Sequence, residues 1–137
     1  MRRISHYGIA VLLAHGLVSL IHQIAHFILG IEVSLLQWLY VLPVWILIPL
    51  IALVCFSTRR LWSGALLLFI CMFASLVFAG VNHFVIVSND HVLHAPAGGA
   101  SLTVFQVTAI LMTVLEIAGC WIGVWALASL ARLRSVD

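Results

Sequence analysis

Seven histidines stand in a chain that holds only six cationic and four acidic side chains. Three of them, His15, His22 and His26, interrupt one apolar run, LAHGLVSLIHQIAHFI, at residues 13–28. His22-x-x-x-His26 sets two imidazoles one helical turn apart on one face, an arrangement that can chelate a metal. His83 follows a second apolar run, and Asp90, His91 and His94 come close behind it. Together these six residues make a candidate site for Zn, Cu or Fe, all of which accept imidazole and carboxylate ligands. The Glu of HExxH is missing, so the spacing gives no support to zincin-type proteolysis. Haem b is the alternative cofactor, with His26 or His22 and His83 as axial ligands and Gly16, Gly30 or Gly80 admitting the macrocycle. The structural alternative treats the same rings as interfacial anchors and helix–helix hydrogen bonds. Glu116 is the one acidic residue deep in an apolar run, and it pairs by depth with His15.

Such ligands must be carried by elements suited to their surroundings. Of the 137 residues 65% are hydrophobic and 7% charged, against about 25% charged in soluble domains. Four apolar stretches, about 7–29, 35–56, 61–87 and 102–131, each approach or exceed the roughly 20 residues needed to cross a bilayer as a helix. Their hydrophobicity is continuous rather than alternating, which selects helices over barrel strands. The expected fold is an all-α integral membrane protein, a single four-helix up-down bundle, with an outer loop at 88–101.

The cations orient it. Arg2, Arg3, Arg59, Arg60, Arg132 and Arg134 fall at the N-terminus, between the second and third spans, and at the C-terminus. Positive flanks stay in the cytoplasm, so both termini are expected inside, in a plasma or inner membrane. The run after MRR is longer than a signal-peptide core and has no clear small-x-small site, so the first span is expected to be retained. Cys55, Cys71 and Cys120 sit in three spans without CxxC spacing and read as small buried apolar residues.

At 100° per residue, His22 and His26 lie about 20° either side of His15, with Ser19 at about 40°. Span four carries a seam of Thr103, Gln106, Thr113, Glu116 and Cys120. Span three lines up Gly64, Cys71, Ser75 and Asn82, with His83 on one flank. Polar intramembrane residues face the bundle, so these three faces should meet, and span two should form a mostly apolar wall. At about 1.5 Å per residue, His22, His26 and His83 reach the outer boundary beside the loop, and His15 and Glu116 lie near mid-membrane.

Local signals complete the picture. Ser34-Leu-Leu-Gln37 fits a capping box. Pro43 and Pro49 should bend span two, Ser57–Arg60 should close a tight hairpin, and Ser101 could cap span four. Trp38 and Tyr40 at one boundary, with Trp62, Trp121 and Trp125 at the other, suit aromatic belts. Pro96, Gly98 and Gly99 should break helix in the loop.

There is no Gly-rich phosphate loop, no GxSxG and no basic face for nucleic acid. The composition points to the lipid bilayer as solvent, with other membrane subunits or a second copy as possible neighbours. The expected function is metal binding near the extracytoplasmic face by a small redox or metal-handling component. The competing reading from another class is a non-catalytic accessory or assembly subunit of a larger membrane complex, and the Glu116–His15 pair would serve either a proton relay or helix cohesion.

Overall fold

The computed structural model describes residues 1–95 and 99–134, so Pro96 and Gly98 lie outside the described residues. All regular structure among them is helical, and four helices are long and apolar enough to cross a membrane. They are α1 (Arg2–Leu29), α2 (Leu35–Ser57), α3 (Leu61–Phe84) and α4 (Gly99–Arg134).

Three boundaries differ from expectation for local reasons. Helix α1 begins before its apolar run, where the Ile4 amide reaches the Met1 carbonyl at 3.2 Å and His6 Nδ1 contacts the Arg2 carbonyl at 2.7 Å. Helix α3 stops at Phe84 instead of 87. The Ile86 amide reaches back to the Val81 carbonyl, and the Val92 amide bonds the His83 carbonyl at 3.0 Å, folding the loop onto the helix end. Helix α4 begins at Gly99, which places Ser101 inside its first turn rather than at a cap.

The turn chemistry follows the residues. Gly30 ends α1 at φ +65°, its amide and that of Ile31 returning to the last-turn carbonyls of Phe27 and His26, a left-handed cap that glycine makes without Cβ strain. Ser34 and Gln37 satisfy each other's backbone amides at 3.2 and 2.7 Å, opening α2 with the expected capping box. Within α2, Leu42–Leu47 form a wider π-helical turn between two α-helical pieces, Leu35–Val41 and Ile48–Ser57. The Ile48 amide there bonds the Pro43 carbonyl, five residues back. Two prolines six residues apart each remove a donor and crowd a preceding carbonyl. The wide turn absorbs that misfit.

Helix α4 packs along both α1 and α3, and α2 leans chiefly on α3. At the end of the bundle holding the 58–60 turn, Phe56 anchors a core of Ile4, Val11, Leu12, Ala65, Leu68 and Met72. Its ring sits so close that a Cβ on Gly8 would come within 2.5 Å of it. At the other end, Phe105 packs with Ala25 and Ile31. Large apolar residues such as Leu13, Leu17, Phe27 and Ile110 are exposed, as a lipid-facing exterior requires.

The polar faces of α1, α3 and α4 do meet. His15, Ser19, His22, His26, Ser75, His83, Thr108 and Glu116 are all buried. Thr103, placed on the seam by its angle, is exposed. Tyr40 of α2 stacks on Phe78 and donates its hydroxyl to the Ala74 carbonyl at 2.8 Å.

Candidate metal centre

The last two turns of α1 and the last turn of α3 supply three rings. His22, His26 and His83 each offer a ligand atom within 4.8 Å of the others, and all three are buried. Phe105 of α4 closes one side, stacked on His22 at 4.9 Å between ring centroids and tilted against His26 at 5.2 Å. A tetrahedral site with metal–nitrogen bonds of 2.0–2.1 Å spaces its ligands about 3.4 Å apart. Ligand atoms within 4.8 Å of one another need close by at most about 1.4 Å to reach it.

The hydrogen bonds determine which nitrogen of each ring carries its proton. Thr108 Oγ1 donates its single hydrogen to the Val104 or Phe105 carbonyl, at 2.6 and 3.1 Å. Its 2.8 Å contact with His22 Nδ1 must therefore be an acceptance from an Nδ1–H. His83 Nδ1 likewise donates to the Asp90 carbonyl at 2.9 Å. Neutral His22 and His83 then keep their lone pairs on Nε2. An imidazole whose other nitrogen is tied to an acceptor is the usual form of a metal-ligating histidine.

Several of the remaining polar atoms make no hydrogen bond. His22 Nε2 and both ring nitrogens of His26 are buried without a hydrogen bond. Native proteins pair nearly all such groups, and a buried lone pair without a donor or a cation costs free energy.

Asp90 joins from the loop. Its Oδ1 stands 3.0 Å from His26 Nε2 and 3.1 Å from His83 Nδ1, yet neither approach is aligned as a hydrogen bond, and Oδ1 is buried without one. Burial acts to raise the Asp90 carboxyl's proton affinity, but the neighbouring His26 and His83 rings outweigh it, holding the group well below the usual carboxylate range. The loop is pinned by Gln106 Nε2, which donates to the Val92 carbonyl at 2.7 Å.

His91 and His94 take a different position. They pair with each other, Nδ1 to Nδ1 at 3.0 Å, and His91 Nδ1 also accepts from the Leu93 amide at 3.1 Å. Among the described residues, the close histidine group contains neither of them. Deeper in the bundle, His15 Nε2 lies 3.2 Å from Glu116 Oε1, to which Ser75 also donates. Sequence reading passed over Thr108 and Phe105. Thr108 lies eight residues before Glu116, about 80° around α4 from it and outside the seam read from the sequence, so helical phase gave no signal for it.

No protein-family model, curated protein or solved structure matches this chain.

Proposed function

We propose that this protein binds one transition-metal ion within the membrane, close to the extracytoplasmic face, through His22, His26, His83 and Asp90. The observation that carries the reading is that buried His22 Nε2 and both His26 ring nitrogens make no hydrogen bond, beside His22 and His83 rings whose Nδ1 atoms are tied to Thr108 and the Asp90 carbonyl. Three imidazoles and one carboxylate suit Zn, Fe or Cu. In this arrangement the four helices run up and down with both termini in the cytoplasm, as the arginine distribution favours. The 85–95 segment then lies outside, where His91 and His94 flank the site as an entry pair. The role is that of a small metal-handling or redox component of a plasma or inner membrane.

The haem b alternative draws less support. His26 and His83 have ring centroids 6.0 Å apart and lie against the same Asp90 oxygen. The cavity they border, with Gln23, Gln37 and Trp45, is about 20 Å³, room for about one water molecule. Gly16 and Gly30 are exposed and Gly80 is half-buried, and nothing packs within 4 Å of a Cβ built on any of them.

The test is elemental analysis and a visible spectrum of detergent-purified protein. About one Zn, Fe or Cu per chain, lost in His22→Ala and His83→Ala, is the expected result. A Soret band lost in His83→Ala would replace it with haem. Colourless, metal-free protein that copurifies with a larger membrane complex would replace it with the accessory-subunit reading.

A further inference from the structure

A second polar group lies deeper, clear of those four ligands. His15 from α1, Ser75 from α3 and Glu116 from α4 converge on one carboxylate oxygen, Glu116 Oε1. All three are buried, Glu116 completely. The other oxygen, Oε2, has no hydrogen-bond partner. A bare carboxylate is far too costly to hold in a low-dielectric interior. The arginines fall at the chain's N-terminus, in the 57–60 turn and at its C-terminal end, so the compensating charge must be a proton. Whether that proton rides on His15 or on Glu116, the pair is neutral as a unit when it holds one and anionic when it does not.

Two further residues lie between the pair and the histidine site. Ser19 sits one turn from His15 and one turn from His22 on the same face of α1, buried and with its Oγ unpartnered. Trp45, on the π-helical turn of α2, packs its ring edge-on to His15 at 6.4 Å, and its Nε1 is likewise buried without a partner. The same indole borders the cavity that His26, His83 and Asp90 line. Glu116 is met from α1 by His15 at 3.2 Å and from α3 by Ser75, and the further titratable groups around it are Tyr40 of α2, His83 of α3 and Cys120 of α4 itself.

We propose that His15, Ser75 and Glu116 form a proton-binding site that gives up its proton when a divalent cation occupies the histidine site, so that metal binding is proton-coupled. This rests on the metal-site reading above. The charge balance closes: a divalent ion beside the Asp90 carboxylate brings one net positive charge into the bundle, that charge takes over the compensation of Glu116, and one proton leaves the His15–Glu116 pair. Coupling of two sites through free energy is reciprocal, so a proton retained on the pair also weakens the metal.

The experiment counts protons released on adding zinc to weakly buffered, detergent-solubilised protein at about pH 8, where free imidazoles are already neutral. Wild type is expected to bind zinc and release about one proton more per metal than Glu116→Gln, at the same zinc stoichiometry. His15→Gln, checked for helicity and a single detergent-chromatography peak, is expected to match Glu116→Gln. Equal proton release by wild type and both variants, with zinc bound in all three, overturns the coupling and leaves the metal site standing. Failure of wild type to bind zinc or any other divalent ion overturns the metal site and the coupling with it.

Discussion

Thr108 Oγ1 lies 2.8 Å from His22 Nδ1 and spends its own hydrogen on the carbonyls of its helix. One hydroxyl on α4 therefore fixes the tautomer of a ring on α1. Thr108→Val keeps the shape and removes the acceptor. Metal affinity, read by competition with a chromophoric chelator, is expected to fall by roughly 10–100-fold. Thr108→Ser should retain most of it. Equal affinity in wild type and Thr108→Val would dissociate the hydroxyl from the site.

Asp90 ties the loop to two helices through the His26 and His83 rings. Asp90→Asn removes the negative charge but keeps the size. We expect metal affinity to drop by about tenfold or more, together with faster hydrogen exchange at the Val92 amide, which bonds the His83 carbonyl in the folded loop. Unchanged exchange would mean that Gln106 alone holds the loop.

Phe56 fills a seat made by two glycines. A methyl at Gly8 would stand 2.5 Å from Phe56 Cε2 and Cζ. Gly8→Ala should destabilise the bundle by about 1–3 kcal/mol, measured by denaturation in mixed micelles. Combining it with Phe56→Leu should cost less than the sum of the two single changes. Simple additivity would show that the ring moves aside freely.

Orientation is open to a direct assay. Leu93 is 79% exposed on the loop, and Ser57 is exposed at the turn between α2 and α3. In a background lacking Cys55, Cys71 and Cys120, Leu93→Cys should react with an impermeant maleimide on intact cells. Ser57→Cys should react only after lysis. The reverse pattern would invert the topology.

Much of this was legible in the sequence because hydrocarbon is a strict solvent. It demands long apolar helices, and it makes each buried polar residue conspicuous. His22, His26 and His83 met because helical phase and depth are both simple arithmetic. The misplacements have equally physical causes. His91 and His94 were grouped with the site by proximity in sequence, but the Val92–His83 and Gln106–Val92 hydrogen bonds set the loop so that Asp90 meets the rings and the two histidines turn to each other. Thr108 escaped notice because a threonine bonding its own helix backbone looks ordinary until a ring from another helix needs its lone pair. The helix ends shifted by several residues because backbone hydrogen bonds, rather than hydropathy, decide where a helix stops.

The wide turn at Leu42–Leu47 has a consequence for how α2 meets its neighbours. One extra residue in a helix advances everything beyond it by about 100° and 1.5 Å. Gln37, on the far side of that turn from Phe56, donates to Asn82 Oδ1 at 3.4 Å. Shortening the segment by a single residue while Phe56 stayed seated would swing Gln37 off Asn82 and toward the acyl chains. The two prolines thus act as a phase setter, keeping both ends of one span in step with different partners.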